Sequence, residues 1–305
     1  MGKGGLFVKI VIAGGTGLVG QRLQTLLKKQ QAEIIVLTSS GENKVVDGVR
    51  YVKWMDGKIP EGLEDTTAFI NLAGVSLNAG RWTPKQKSKI LTSRLQTTNE
   101  ITRIMKTLNK KPSVFVNASA VGIYKPSETE IYTEQHEAKV TDFLSDVVYQ
   151  WEQAALQANE MGIRTCTMRF GVILERDAGA FPLMLLPYQL FVGGTIGSGK
   201  QWVSWIHAED VARAILFAIE HQLFDGPINT VSPNPLRMRD FGKVIAEVFR
   251  RPHYFPVPST LLKIALGEKS MLVLEGQYVI PEKLNEEGFT FKFPTLQEAL
   301  HDLYK

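Results

Sequence analysis

One cysteine, Cys166, stands in the whole chain, so no intramolecular disulfide is available. It sits in an apolar strand-like run, which predicts a buried, reduced thiol and suits a cytoplasmic setting. Long apolar runs are missing too. None approaches the roughly 20 residues that span a bilayer, and the longest candidate, residues 181–192, is broken by Pro187. Residues 1–5 lack the apolar region of a signal peptide. Charge does not cluster: the net value is +4 with scattered lysines, which argues against a nucleic-acid stripe and leaves a mild preference for anionic small molecules. No metal-ligand spacing, nucleophile elbow or P-loop is present. What remains is a globular chain of 305 residues, 44% hydrophobic and 22% charged, able to bury a large core. Its expected partner is a small molecule, with neither nucleic acid nor membrane.

Residues 8–20, V-K-I-V-I-A-G-G-T-G-L-V-G, run a β-prone segment into a glycine cluster. Apolar residues at helical spacing follow, so the stretch reads as strand, tight turn and helix. Gly14 allows the chain to turn out of the strand, Gly17 removes a side chain where a pyrophosphate would approach, and Gly20 lets the helix pack close. An anion there would meet free N–H groups and the positive end of the helix dipole. Gly14, Gly15, Thr16, Gly17, Leu18 and Val19 are therefore the expected dinucleotide cradle. The spacing is G-x-x-G-x-x-G, and an ordinary glycine-rich turn is the alternative.

Further strands are expected at residues 33–38, 49–54, 67–74, 112–118 and 164–170, alternating with helices at 84–108 and around 143–155. Thr83 and Pro84 mark a helix start. The alternation predicts an α/β fold: a doubly wound parallel Rossmann-type sheet in residues 8–171, with a smaller C-terminal lobe in 172–305. Residues 204–220 are expected to return to the first lobe. Leu72, Ala73 and Gly74 close one strand at the carboxyl edge of the sheet, where ligands of open α/β sheets bind.

The motifs at residues 14–20, Asn71-Leu72-Ala73-Gly74, 119–124 and Gly197-Ser198-Gly199-Lys200-Gln201 followed by Ser204-Trp205-Ile206-His207 occur in a recognisable order. Together they resemble the extended short-chain dehydrogenase/reductase superfamily. With Trp82, Ser93-Arg94, Trp151-Glu152 and Leu274-Glu275-Gly276-Gln277, the chain is similar to its atypical branch of sugar-nucleotide epimerase-like, or epimerase family, proteins with an extra C-terminal segment. The resemblance implies a nicotinamide dinucleotide. Thr38, Ser39 and Ser40 stand where an acidic residue would bind the ribose of NAD, so NADP is favoured over NAD, with Lys44 within reach of a 2′-phosphate. Arg94 replaces a structural Asn of the extended members and is a candidate to bind an anion of the cofactor, with a surface salt bridge as the alternative. Arg169, at the carboxyl edge, is a cofactor contact or a member of a buried ion pair.

In extended members a Ser/Thr, a Tyr and a Lys four residues later transfer the proton while hydride moves to or from nicotinamide. Here the Tyr position falls on Leu144 and the Lys position on Val148. The hydroxyl position falls on Ala120, with Ser119 one residue earlier and on the other strand face unless the chain bends. Ser119 and Tyr124 are the weak catalytic candidates, with His136 behind them. Val203 stands where sugar-nucleotide enzymes carry the Arg that grips the diphosphate, which argues against that substrate class. His207 and Asp210 read as a helix start. The expected function is an NADP(H)-binding oxidoreductase-like protein without a Tyr-x-x-x-Lys dyad, the alternative a non-catalytic NADP(H) sensor. Monomer or homodimer fits, the latter through helices 84–108 and 140–161.

Overall fold

The computed structural model describes residues 8–39 and 42–305. The expectations for residues 1–5 and for Ser40 lie outside the described residues. Eight strands form the main sheet: β1 (Lys9–Ala13), β2 (Glu33–Thr38), β3 (Lys44–Val46), β4 (Val49–Lys53), β5 (Ala68–Asn71), β6 (Val114–Ala120), β7 (Arg164–Phe170) and β8 (Gly226–Thr230). Their spatial order is β8-β7-β6-β5-β1-β2-β4-β3. All neighbours are parallel except β3 with β4, a tight hairpin at the edge.

Strand alternation divides the core into two layers. Ile10, Ile12, Ile34, Val36, Ile70 and Val116 face one side, where Leu23 and Leu27 of α1 (Leu18–Lys29) pack among them. Val11, Ala13, Ile35, Leu37, Phe69 and Phe115 face the other, against Ile101, Ile104 and Met105 of α2 (Pro84–Thr107) and Ala155 of α3 (Phe143–Leu156). The Thr83 side chain caps α2 by accepting from the Gln86 amide, with Pro84 at the first helical position.

The second half of the chain is interleaved with the first. After α4 (Phe181–Gln189), helix α5 (Ala208–Glu220) returns to the main sheet, placing Ile215 and Ala218 in the α1 layer. Strand β8 then adds to the sheet beside β7, inside the stretch expected to form the second lobe. A separate core joins Phe181 and Leu185 to Phe241 and Ile245 of α6 (Met238–Phe249) and Leu300 of the terminal helix. Beyond α7 (Ser259–Leu266), Met271 and Leu272 pack with Leu77 and Trp82. Lys269 donates to the carbonyls of Asn78 and Gly80 (both 3.1 Å), so the tail clasps the loop that follows β5.

Candidate functional site

Each glycine of the turn has a different steric neighbour. Gly14 has φ +77°, and a Cβ there would lie 2.6 Å from the Leu72 carbonyl carbon, so the turn rests on the backbone at the end of β5. A Cβ on Gly20 would fall 2.5 Å from Gly15 Cα, which seats α1 against the turn. Gly17 alone is exposed and open: a Cβ would meet only the Gly14 carbonyl oxygen at 3.3 Å. No side chain caps α1 at Gly17, and its first turn carries no acidic residue, so its free N–H groups and positive dipole end are left unneutralised. Buried Gln24 holds the turn by donating to the Gly15 carbonyl at 2.6 Å. Its polar side chain on an apolar helix face was the signal that sequence reasoning passed over.

Arg94 lies directly under Gly74, where an added Cβ would meet its Cγ and Cζ at 3.3 Å. Its Nη1 donates to the carbonyls of Val75 (3.1 Å) and Ile90 (3.0 Å), and its guanidinium sits 5.0 Å from the Trp151 ring centre. No carboxylate pairs with it among the described residues, and Nε and Nη2 have no protein acceptor there. Burial lowers its pKa to about 10, which still leaves a cation at neutral pH.

Ser119, Tyr124 and Arg169 are brought together, but inside the protein. Neighbouring strands put Ser119, Arg169 and Asn229 in register, on the face covered by α3. Ser119 Oγ donates to Glu152 at 2.5 Å, and Arg169 holds the same carboxylate through Nε and Nη2, both at 2.9 Å. Arg169 Nη1 donates to the Tyr124 hydroxyl at 2.8 Å, which itself lies 2.8 Å from Asn229 Oδ1 and 3.0 Å from the Thr133 carbonyl. All five side chains are buried. Burial opposes the charge of Arg169, yet the hydrogen bonds and charge of Glu152 hold its pKa above the ordinary arginine value.

Arg169 thus stands in the buried ion pair that was the alternative to a cofactor contact. The Ser119 and Tyr124 hydroxyls both have partners within this network. The reason is local. β6 stays extended through Ala120 (φ −148°, ψ 150°), so Ser119 keeps to the α3 face and never bends toward the cleft. Burial comes first in raising the Tyr124 pKa, ahead of the opposing Arg169 charge, which is the wrong direction for a base. Glu152, which organises the cluster, was legible only as half of a Trp-Glu match.

At the cleft end of β6 the wall is apolar. A Cβ on Gly122 would lie 3.7 Å from Leu144 Cβ, and Leu144, Val75, Leu77, Phe143, Met271 and Leu272 all pack around the buried cluster of Trp82, Ile90 and Val147. Beyond β7, Glu175 is latched to α1, accepting from Arg22 Nε (2.8 Å) and Nη2 (2.9 Å). Ser39 is exposed at the end of β2, while Lys44 lies on β3 with its ammonium 5.8 Å from the Tyr51 ring centre. His136 is exposed and accepts from the Thr133 amide. His207 and Asp210 are buried: His207 Nδ1 caps α5 at the Glu209 amide, and Asp210 accepts from the Lys292 and Phe293 amides. Among the described residues no group of three or more His, Cys, Asp or Glu could hold a metal ion.

This combination of glycine turn, β5 end and parallel sheet coincides with a family profile described as NAD dependent epimerase/dehydratase family, matched over residues 10–229. The chain belongs to that family. Residues 257–303 match a further profile described as a domain of unknown function, DUF1731, which covers the tail that clasps the β5 loop. The chain is 43% identical to "Epimerase family protein YfhF" of Bacillus subtilis, covering 97% of this chain and 98% of that protein. It superposes on the human epimerase family protein SDR39U1, solved with NADPH, at a TM-score of 0.88 and 31% identity, covering 97% and 99% of the two chains. UDP-glucuronic acid 4-epimerase from Bacillus cereus, solved with UDP-glucuronic acid and NAD, shares the fold at a TM-score of 0.78 and 14% identity, with 97% and 98% covered. The family assignment makes this an atypical short-chain dehydrogenase/reductase of the NAD(P)-dependent type, with a mostly parallel Rossmann-like sheet.

Proposed function

We propose that the protein binds NADP(H), with the pyrophosphate seated on Gly14, Gly15, Thr16, Gly17, Leu18 and Val19 at the start of α1. The observation that carries this reading is the open backbone at Gly17 combined with an unneutralised Arg94 beneath Gly74. Leu72, Ala73 and Gly74 would line the cofactor's path, and Thr38, Ser39 and Ser40 would take the ribose 2′-phosphate, with no carboxylate to repel it. The NADPH in the similar human protein supports NADP. The B. cereus fold neighbour holds NAD, so cofactor choice belongs to these side chains and not to the fold. Residues 8–171 with 204–220 and the sheet strand 226–230 form the cofactor lobe, and the remainder of 172–305 the smaller lobe, of a cytoplasmic protein that takes a small molecule and no nucleic acid.

When bound, the nicotinamide supplies or accepts a hydride. The chain's own part is to exclude water and hold the substrate against the wall of Leu144, Val75, Leu77 and Leu272. The positions of the usual hydroxyl, tyrosine and lysine carry Ala120, Leu144 and Val148, so no side chain there can give up a proton. Reduction of a carbonyl or activated alkene, with the proton drawn from solvent, is the chemistry that fits. The same three residues favour a second reading, an NADP(H) sensor that binds without turnover.

Titration with NADPH and NADH, followed by nicotinamide fluorescence, tests the first claim. NADPH is expected to bind more tightly, and tighter binding of the non-phosphorylated cofactor would overturn the reading of Thr38-Ser39-Ser40. Loss of NADPH absorbance across a panel of carbonyls and enones then separates the oxidoreductase from the sensor.

A further inference from the structure

Large apolar side chains reach the surface most densely on the smaller lobe. Phe181, Leu185 and Tyr188 turn one side of α4 into the core, while Leu183, Leu186 and Leu190 point outward at helical spacing. Leu190 is 63% exposed, and Phe191 beside it 55%. A second segment completes the face. The amides of Tyr254 and Phe255 both donate to the Gly193 carbonyl, at 3.0 and 3.2 Å, and Tyr254 is 81% exposed. The chain then enters α7, which buries none of its residues and leaves Ile264 76% exposed.

The chain segment that carries much of this face is basic. Residues 237–266 hold six Lys or Arg against two Asp or Glu, a net +4 that equals the net charge of the whole chain. The Arg251 guanidinium lies 4.3 Å from the Phe191 ring centre. Arg250, Arg251 and Lys263 form no ion pair among the described residues, and Lys263 stands between Leu261 and Ile264 on α7.

We propose that this face seats on an anionic lipid bilayer, with Phe191, Tyr254 and Phe255 at headgroup depth and the basic residues against lipid phosphates. Charge decides against a second copy. A twofold pair would set the same patch against itself and bring Arg250, Arg251 and Lys263 of both copies together. The length of apolar runs tests only for crossing a bilayer, and no helix of the described residues is long and apolar enough to do so. Surface attachment needs no such run, which is why the sequence pointed away from a membrane partner.

Co-flotation of the full chain with vesicles tests the proposal. Vesicles containing one-third phosphatidylglycerol should bind the protein about tenfold more than pure phosphatidylcholine, with the difference falling at high salt. The double substitution Tyr254→Asp, Phe255→Asp should cut that binding about tenfold while leaving the thermal midpoint in place, since both side chains are exposed. Equal binding to both vesicles, no binding, or unchanged binding by the folded variant would overturn it. So would sedimentation showing a dimer that Phe255→Asp dissolves, which would assign the face to a second copy.

Discussion

Two regions meet at the carboxyl edge of the sheet and are built in opposite ways. The glycine turn is open, made of backbone, and holds no acidic group in the first turn of its helix. The cluster beneath the ends of β6 and β7 is closed, made of side chains, and pairs its charge internally through Glu152 and Arg169. Residue types that look reactive belong to the closed region, and the open region shows almost no reactive side chains. Whether a polar group serves a ligand or the fold is decided by whether its hydrogen-bonding capacity is already taken.

Four measurements would break or sharpen this contrast. The largest effect is expected from Glu152→Ala, which leaves Arg169 buried without its carboxylate and should cost about 3–5 kcal/mol of folding stability in denaturant titrations. A loss below 1 kcal/mol, with NADPH affinity altered instead, would return the cluster to the ligand side. Next is Gly17→Asp. Its backbone (φ −77°) accepts any residue, so the fold should persist while the NADPH Kd weakens about 100-fold, ~2.7 kcal/mol, from a carboxylate set against the pyrophosphate. Unchanged affinity would refute the assignment of the turn.

Tyr124→Phe removes one hydroxyl from a network that Arg169 and Asn229 still occupy, and should lower stability by about 1 kcal/mol. NADPH affinity and any turnover found in the carbonyl screen should not move. Loss of turnover with stability intact would make Tyr124 a proton donor after all.

The smallest effect is on pH dependence. Burial lowers the His207 pKa from its ordinary 6.5, against the pull of Asp302, Asp210, Glu175 and Glu209. The unfolded chain therefore binds the proton more readily. The stability this group contributes is present above pH 6.5 and is lost as pH falls through the depressed folded value. Stability should therefore decline as pH drops below 6.5, and His207→Gln should flatten that decline. A wild-type slope retained in that variant would place the titration elsewhere.

Much of the frame was legible from residue patterns. Alternation in β1, β2 and β6 and the cap at Thr83 depend on neighbours within a few residues, so local sequence carries them. Strand β8 escaped because Gly226 and Pro227 begin it, and turn-forming residues mask a strand whose identity comes from pairing with β7. Gln24 and Glu152 escaped because a lone polar residue on a helix says nothing about the partner that awaits it. The exposed face of α4 escaped because an all-apolar helix reads as buried.

The sequence by itself determined the parallel sheet, the glycine turn at its edge, and the absence of a Tyr-x-x-x-Lys pair, because each is a property of spacing along one segment. Tertiary structure alone decided that Ser119 and Arg169 face inward onto Glu152, with Tyr124 on Arg169, while Arg94 is left without a carboxylate among the described residues. The physical reason is that a side chain's chemistry depends on its partners, and here those partners lie as far as 105 residues away.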